Sequence, residues 1–310
     1  METFDFLIVG AGCAGASGAM YASRLNLKSV MYGEMPGGLI TTTHLVENWP
    51  GEKSISGPDL AMQLVDHATS FGVEMKNEKV TEIKQAEISD QSKTAGFIVK
   101  TASNEIKAKT VLIATGTKHR KMNVPGEDEL ANKGVSYCAL CDGAFFKEKT
   151  VCIVGGSDSA AKEALLLTEH AKKVYIFARS TLHPEPINMD RVKKNDKIEV
   201  REGTKIKEII GKDKVEKVIL ESGEEIEMDG VFIAIGHIPL SGLAEKLGVE
   251  LNDHKEIKIN RHSETNIPGV YAAGDVGDSE FKQAITGSAE AVTAAYYAFE
   301  YINNNEIVFE

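Results

Sequence analysis

Two strand–loop–helix signatures with glycine-rich loops, about 145 residues apart, constrain the fold of this chain more than any other feature. In the first, the apolar run Phe6–Val9 leads into Gly10–Gly15, which reads GAGCAG, and then into a helix of small residues. In the second, Val151–Val154 leads into Gly155–Ala160, which reads GGSDSA. A buried strand followed by a glycine turn and a helix is how a βαβ nucleotide-binding unit begins. The chain is therefore predicted to be an α/β protein with two Rossmann-like domains.

The remaining apolar runs predict the strands that complete these domains. Three of them end in glycine turns, at Val111–Ala114, Val231–Ala234 and Gly269–Ala273, and the tail from Gln283 to Tyr301 has the pattern of one helix. A glycine turn after a strand lets the backbone approach a ligand closely.

No low-complexity linker separates the two halves, so the second domain is predicted to be inserted into the first. We expect the first domain to comprise residues 1–117 and 245–310, and the second to comprise residues 118–244. The chain would cross between them near Gly116–Pro125 and Gly236–Leu247.

The bulk composition excludes several classes of protein. A length of 310 residues allows two domains, and 42% apolar with 26% charged residues is ordinary for a soluble α/β protein. The net charge of −11 argues against nucleic acid or an anionic membrane as the main partner. No apolar run is long enough to span a membrane, and the first residues lack the basic start of a signal peptide. Four cysteines, two of them closely paired, are typical of a reducing compartment, so a cytoplasmic location is predicted.

The first glycine loop has the context of a dinucleotide fingerprint. Its three glycines would bring backbone N–H groups against a pyrophosphate at a helix N-terminus. Glu34, after the strand Ser29–Tyr32, is placed to accept a hydrogen bond from an adenosine ribose. Cys13 occupies a loop position and is interpreted as incidental, although the nearby helix N-terminus could acidify its thiol.

The second glycine loop departs from that pattern. Ser157 stands where the middle glycine is expected, and Ala178 follows the strand Val174–Phe177 where an NAD site has an acid. An NADP site would need several cationic side chains, and only Arg179 is in place. A working nicotinamide site and a retained fold with a decayed site both remain open.

A Cys-x-x-Cys pair, Cys138 and Cys141, lies between the two signatures. By itself it could be half a zinc site, a redox pair or two buried cysteines. A zinc site needs two more ligands nearby, whereas the other cysteines, Cys13 and Cys152, each stand alone. No metal is therefore predicted, and the pair is interpreted as a redox centre between two nucleotides.

The residues after the pair suggest a proton source and a docking surface. Asp142 could be a general acid if burial raises its pKa, and the alternative is a helix-capping aspartate before Gly143. Phe145 and Phe146 are either core residues or part of a surface that receives a protein substrate.

Several separate segments together resemble the low-molecular-weight thioredoxin reductases, and the resemblance spans essentially the whole chain. The segments that carry it are Gly10–Gly15, Gly37–Thr43, Val46–Gly51, Ala114–Gly116, Cys138–Gly143, Gly274–Val276 and Lys282–Thr286.

The resemblance implies FAD in the first domain, an NAD(P)-type domain carrying the dithiol, and a homodimer. Cys141 would face the flavin and Cys138 would attack the disulfide of thioredoxin or a similar protein. Asp275 would hold the ribityl or phosphate region, and the isoalloxazine would face Gln283 and Ala284. The residues expected to bind FAD are Gly10, Gly12, Ala14, Gly15, Glu34, Gly38, Leu39, Thr43, Asn48, Ala114, Thr115, Gly116, Gly274, Asp275, Lys282, Gln283 and Ala284. Those of the second nucleotide site would be Gly155, Ser157, Ser159 and Arg179.

The resemblance also implies that the two domains rotate, with the crossings near Gly116 and Gly236 as hinges. The family's phosphate-binding HRRxxxR appears here as Ala178–Pro184, so one arginine of three remains. We therefore expect weak use of NADPH, and some relatives instead draw electrons from ferredoxin or another carrier. Two other functions stay open: a flavin-dependent dithiol oxidase that passes electrons to oxygen, and a redox-sensing flavoprotein without turnover.

Overall fold

The structure is a computed structural model that describes residues 1–43, 46–90 and 92–309. It divides into two compact units, Met1–Lys118 with Ile238–Glu310, and His119–His237. Its α-helices, numbered along the chain, are α1 (Cys13–Arg24), α2 (Gly57–Ser70), α3 (Ala139–Asp142), α4 (Asp158–Leu167), α5 (Pro186–Lys194), α6 (Gly242–Leu247) and α7 (Ala284–Asn304). Short 3₁₀-helices cover Gly38–Thr42 and Gly143–Phe146. Among the helices of the described residues, none has both the length and the apolar content needed to cross a membrane.

The strands, numbered in the same way, are β1 (Thr3–Val9), β2 (Ser29–Tyr32), β3 (Glu74–Lys76), β4 (Val80–Gln85), β5 (Thr94–Ala95), β6 (Phe97–Thr101), β7 (Glu105–Ile113), β8 (Thr117–His119), β9 (Val135–Ser136), β10 (Thr150–Val154), β11 (Lys173–Phe177), β12 (Ile198–Arg201), β13 (Ile206–Gly211), β14 (Val215–Leu220), β15 (Glu225–Glu227), β16 (Gly230–Ile233), β17 (His237–Pro239), β18 (Val270–Ala272) and β19 (Ile307–Val308).

The first unit is built on a sheet of order β3-β2-β1-β7-β6-β4, with β18 paired to the C-terminal end of β7. Strands β1, β2 and β18 run parallel to their neighbours, whereas β6 is antiparallel to β7. The apolar ends of β1 and β7 are fully buried, as expected for central strands covered on both faces. Helices α1 and α7 pack on one face through small residues, among them Ala16, Ala19 and Ala291.

The second unit has a five-stranded parallel sheet of order β12-β11-β10-β16-β9. Helix α4 covers one face through Ala160, Ala161 and Ala164. The antiparallel sheet β13-β14-β15 contributes apolar residues to a core cluster that also contains Cys152 and Phe177. Cys152 therefore lies in the core, as its apolar strand indicates. The two Rossmann-type units confirm the predicted fold class.

The two connections between the units run side by side, because β8 pairs with β17. The Leu240 N–H donates to the Gly116 carbonyl at 3.0 Å, and the Arg120 N–H donates to the Gly236 carbonyl at 3.0 Å. Both glycines have left-handed backbone, with φ of +67° and +96°, which a side chain would disfavour.

The observed second division lies within the expected crossing Gly236–Leu247, several residues before the expected boundary. The expected division after residue 244 falls inside helix α6, and the structure divides the chain between His237 and Ile238. The reason is packing: Ala244 is buried in a first-unit core cluster with Val249 and Ile257. The other division lies between Lys118 and His119, next to the expected one after residue 117.

Candidate dithiol and nucleotide sites

The first glycine loop is a tight turn whose shape excludes a side chain at Gly10 and at Gly15. Gly10 has φ +120°, and a Cβ there would collide with the carbonyl oxygen of Ala114. A Cβ on Gly15 would in turn collide with the Gly10 carbonyl. The turn thus brings β1, the end of β7 and the start of α1 together, so that the first N–H groups of α1 lie at the carboxyl end of the sheet.

The N-terminus of helix α1 has the chemistry that a pyrophosphate requires. Its N-cap residue, Gly12, offers no side-chain hydrogen bond, and the first turn contains no acidic residue. Helix α7 begins in the same way after Gln283. The partial positive charge of both helix ends is therefore not offset by a carboxylate within the first turn. The residues of the first unit fit FAD in this respect.

Other residues expected at the FAD site come together although they are distant in sequence. Asn48 Nδ2 donates to Gln283 Oε1 at 3.2 Å across 235 positions. Gly38 lies against Gly12, since a Cβ on Gly38 would come within 2.7 Å of the Gly12 Cα. The Ala14 Cβ is 3.2 Å from the place that a Cβ on Gly274 would take.

Lys282 and Glu34 make contacts of their own within the first unit. Lys282 Nζ donates to the carbonyls of Asp275 and Gly277, at 3.1 and 2.5 Å, and pairs with Glu256. It therefore braces the turn that carries Asp275. The exposed Glu34 carboxylate pairs with Lys79 Nζ at 3.1 Å.

Among the remaining predicted FAD residues, Leu39 lies in the 3₁₀-helix after Gly38 and is partly exposed. The Thr43 carbonyl accepts from the Gly57 N–H at 3.1 Å. Thr115 Oγ1 donates to the Leu240 carbonyl at 2.9 Å, and Ala284 is the first residue of α7. Their roles toward FAD stay predictions.

Cys13 differs from the sequence expectation in both place and chemistry. It is the first residue of helix α1 and not a loop residue. The pKa of its thiol is raised to about 11, chiefly by burial; its own backbone hydrogen bond lowers the pKa, and the negative charge of Asp275 adds a smaller increase. The acidification that the sequence left open is therefore wrong, because burial disfavours the thiolate and the net pKa is raised.

Cys138 and Cys141 form a disulfide at the start of helix α3, with Cα atoms 5.3 Å apart. Cys138 is the N-cap residue in extended conformation, and its Sγ accepts from the Cys141 N–H at 3.1 Å. The Cys138 carbonyl accepts from the Asp142 N–H at 3.0 Å. The redox-pair interpretation is confirmed as a disulfide-forming pair.

Ser136 connects the cysteine pair to Asp142, and sequence reasoning missed it. Its hydroxyl donates to Asp142 Oδ2 at 2.6 Å and accepts from the Cys138 N–H at 3.1 Å. A serine two residues before a backbone N–H that it binds is a known local motif, so position 136 held a usable signal. Asp142 does stand at the N-cap position of the following 3₁₀-helix, but its side chain makes no capping hydrogen bond there.

The two phenylalanines after the pair have different environments. Phe146 packs edge-on against Phe232 with ring centroids 5.0 Å apart and belongs to the core. Phe145 is 44% exposed, and Leu140, between the cysteines, is 48% exposed. Phe146 therefore packs on the core, whereas the role of the exposed Phe145 in docking a protein substrate stays a prediction.

The second glycine loop carries a fixed carboxylate at its helix. Asp158 is in the first turn of α4, and its Oδ1 accepts from Asn188 Nδ2 at 2.8 Å and from the Glu185 N–H at 2.9 Å. Its Oδ2 pairs with Lys162 at 2.7 Å. Hydrogen bonds from Lys162 and then Asn188 lower the pKa of Asp158 to about 2, so it is ionised at any physiological pH.

The rest of that loop offers few groups for a nucleotide phosphate. Arg179 and Ser180 are exposed, and the Gly156 carbonyl is bound by the His183 N–H at 2.9 Å. Ser157 precedes α4 and makes no side-chain capping bond. A Cβ on Gly155 would come within 2.5 Å of the Ala234 carbonyl oxygen. Ser159 Oγ donates to Glu163. The ionised Asp158 carboxylate in the first turn of α4 would repel a pyrophosphate at that helix end. The residues of this loop therefore do not fit the phosphates of NADPH well.

Known proteins match nearly the whole length of this chain. A model of the pyridine nucleotide-disulphide oxidoreductase family matches residues 4–292. The thioredoxin reductase of Bacillus subtilis is 40% identical over 309 residues, which cover 97% of this chain and 95% of that protein.

Solved structures agree with these matches. A thioredoxin reductase from Streptococcus pyogenes has 37% identity and a TM-score of 0.89, with 97% of this chain and 99% of that chain covered. A ferredoxin-flavin thioredoxin reductase from Clostridium acetobutylicum has 31% identity and a TM-score of 0.53, with 98% and 100% covered.

Two Rossmann-type units and a disulfide-forming cysteine pair define the class of disulfide oxidoreductases. The chain belongs to the pyridine nucleotide-disulphide oxidoreductase family and, within it, to the low-molecular-weight thioredoxin reductases. The resemblance noted in the sequence is thereby confirmed.

Ser136→Ala is expected to destabilise the protein by about 1–3 kcal/mol, because the partly buried Asp142 carboxylate and the Cys138 N–H each lose a partner. Thermal unfolding followed by circular dichroism measures this loss. Ser288→Ala is the matched control, since Ser288 is buried and its Oγ has no hydrogen-bond partner among the described residues. Equal stability losses in the two variants would contradict the bridging role of Ser136.

Proposed function

We propose that this chain is an FAD-dependent thioredoxin reductase that reduces the disulfide of thioredoxin or a similar small protein through Cys138 and Cys141. The observation that carries this proposal is the Cys138–Cys141 disulfide, joined to the Asp142 carboxylate through the Ser136 hydroxyl. The full-length similarity to enzymes named thioredoxin reductase supports it.

FAD, when bound, would supply the electron pair that reduces the disulfide. The uncapped N-terminus of helix α1 would hold its pyrophosphate, and Glu34 its adenosine ribose. Asp275, on the turn braced by Lys282, and the Asn48–Gln283 pair would hold the remainder. Each of these assignments combines the family resemblance with the contacts described above.

Reduction of Cys138–Cys141 takes up two electrons and two protons. The Cys138 thiol then loses a proton, and its thiolate attacks the substrate disulfide to form a mixed disulfide while one substrate sulfur leaves. Cys141 displaces the second substrate sulfur and restores the Cys138–Cys141 bond. Asp142, held by Ser136, is the proposed group that exchanges these protons.

Asp142→Asn is expected to lower the rate of thioredoxin reduction about 10²-fold, the usual contribution of a proton-transferring side chain. Asparagine keeps the size of the side chain and can still accept from Ser136. The rate is followed with a chemically reduced holoenzyme and oxidised thioredoxin. Asp213→Asn, in an exposed turn, is the control of equal charge change. An unchanged rate in Asp142→Asn would remove Asp142 from the mechanism.

The exposed side chains of Leu140 and Phe145 are the proposed docking surface for the protein substrate. They lie between and just after the cysteines, so a partner seated on them would bring its disulfide to Cys138. Most large apolar side chains elsewhere in the second unit are buried, and an exposed apolar pair at a reactive site is typical of a partner contact.

The preferred electron donor is proposed to be a carrier other than NADPH, with reduced ferredoxin as the leading candidate. The ionised Asp158 at the start of α4 and the loss of two family arginines support this choice. A structural relative that is named a ferredoxin-flavin thioredoxin reductase supports it further. A homodimer and a cytoplasmic location are proposed on the family resemblance and the composition.

One experiment separates the reductase from a dithiol oxidase. Chemically reduced holoenzyme is mixed anaerobically with oxidised thioredoxin, and in parallel reduced thioredoxin is incubated with oxidised holoenzyme in air. Formation of thioredoxin thiols in the first reaction, without hydrogen peroxide in the second, is the expected result. Rapid peroxide formation with no thioredoxin reduction would establish the oxidase instead.

A further inference from the structure

The cysteine-bearing helix α3 rests directly on helix α4. Ala139 is buried in the same core cluster as Ala160 and Ala164 of α4. The turn after α3 packs just as closely, because a Cβ on Gly143 would come within 3.3 Å of Leu167 Cδ2. A side chain on this side of α4 therefore lies near the Cys138–Cys141 disulfide. The proposed mechanism gives no role to such a side chain.

Glu163 is the carboxyl group at this contact. Its Oε1 accepts from Ser159 Oγ at 3.3 Å, and the carboxyl group lies close enough to the backbone N–H of Ala139, the residue after Cys138, for that N–H to lower its pKa. Its Oε2 is inaccessible to solvent and has no hydrogen-bond partner among the described residues. Burial raises the pKa of Glu163 to about 7, and the Ser159 hydroxyl and the nearby Ala139 N–H lower it less. The charge of this group thus changes near neutral pH.

We propose that Glu163 is a positioning residue for the cysteine pair: its carboxyl group holds the first turn of helix α3, and its charge controls how readily the reduced cysteines become thiolates. This inference rests on the proposed function, in which the pair is alternately oxidised and reduced. It adds a carboxyl group on another helix to the Ser136–Asp142 connection.

The physical basis is repulsion between like charges. Attack on a disulfide requires a thiolate, so a cysteine thiol must first lose its proton. An ionised carboxylate nearby disfavours that second negative charge, whereas a protonated carboxyl group does not. Because the pKa of Glu163 is about 7 and that of an ordinary cysteine thiol is about 8.5, ionisation of the carboxyl group opposes ionisation of a nearby thiol. As the pH rises through the pKa of Glu163, its ionisation holds back the formation of thiolate.

Other titratable or charged groups also lie around helix α4. On α4 itself, Asp158 and Lys162 pair with each other. The strands below contribute Cys152 and Tyr175 to the core cluster on the opposite face of the sheet. The remaining titratable or charged groups of the elements packed on α4 are Asp142 on α3, His170 beside Gly143, Lys173 on β11, and Asp190, Arg191, Lys193 and Lys194 on α5.

The test is the pH dependence of thiol alkylation in the reduced holoenzyme. The protein is reduced with dithiothreitol, freed of reductant under anaerobic conditions and treated with iodoacetamide over a range of pH. Glu163→Gln keeps the hydrogen-bond acceptor and removes the charge. At mildly alkaline pH its thiols are expected to react about three- to tenfold faster than those of the wild type, as for a thiol pKa lowered by about half a unit to one unit. At acid pH, where Glu163 is neutral in both proteins, the rates should coincide.

Two further variants make the result specific. Glu169→Gln removes the same charge from an exposed position just beyond α4 and should leave the alkylation profile unchanged. Glu163→Asp retains a carboxyl group and should give a profile closer to the wild type than Glu163→Gln does. Superimposable profiles for the wild type and Glu163→Gln would overturn the proposal.

The design also covers a folding defect and a failure of the proposed function. If Glu163→Gln does not fold, Ser159→Ala provides the test, because losing the Ser159 donor makes Glu163 harder to ionise. Its thiols should then react faster than those of the wild type at mildly alkaline pH, and an unchanged profile would overturn the proposal. Reduced thiols that respond to Glu163 but do not reduce thioredoxin would count against the proposed function alone.

Discussion

Cys141→Ser is expected to abolish turnover, lowering it by at least about 10³-fold, and to leave Cys138 able to form a lasting bond with the substrate. Residues that act as one covalent unit lose nearly all activity when either member is removed. With Cys141 absent, a mixed disulfide at Cys138 has no neighbouring thiol to resolve it. The variant should therefore accumulate an adduct that the wild type releases.

A thioredoxin with a single active-site cysteine, activated as a thionitrobenzoate disulfide, measures this directly. Cys138 displaces coloured thionitrobenzoate and retains the thioredoxin, so release of colour and a band of increased mass appear together. Cys138→Ser should form this adduct far more slowly, because Cys141 is the proposed flavin-facing thiol.

Cys152→Ala is the control for loss of a cysteine, since Cys152 is fully buried in β10 and burial raises the pKa of its thiol. It should retain turnover and form no lasting adduct. Equal adduct yields from the Cys138→Ser and Cys141→Ser variants would contradict the assignment of the two roles.

NADPH is expected to reduce this enzyme only at high concentration. Two charged contacts to a phosphate are missing, each contributing about 1.5–3 kcal/mol, which corresponds to a weakening of about 10²–10⁴-fold. Anaerobic titration of the bound flavin with NADPH, NADH and reduced ferredoxin, followed by absorbance, compares the three donors. Rapid bleaching by micromolar NADPH would overturn this prediction.

Asp158→Asn is expected to strengthen NADPH binding about tenfold, because one negative charge leaves the helix end at which the pyrophosphate would lie. Asparagine can still accept from Asn188 and from the Glu185 N–H, so the loop should keep its shape. Asp190→Asn, exposed on helix α5, changes the net charge equally and should have no effect. An equal gain in both variants would point to net charge and not to the helix end.

Much of the fold was predictable because its signals are local. The runs Phe6–Val9 and Val174–Phe177 lie within the observed strands β1 and β11, since central parallel strands are apolar on both faces. Gly10 was identifiable because only glycine tolerates the turn after β1. The exact position of the second boundary was not predictable, because helix α6 joins whichever core its apolar face contacts, and its local pattern does not specify that core.

The sequence by itself determined the two nucleotide folds, the cysteine pair and the family, because strand periodicity, glycine turns and motif spacing are properties of short segments. Only the tertiary structure decided how those segments act on one another. It joined Ser136 to Asp142, fixed the Asp158 carboxylate against Asn188 and brought Glu163 to the amide beside Cys138. It also reversed the expectation for Cys13, whose pKa follows burial and not the helix end. The physical reason is that desolvation and charge depend on neighbours in space, which packing assembles from distant parts of the chain.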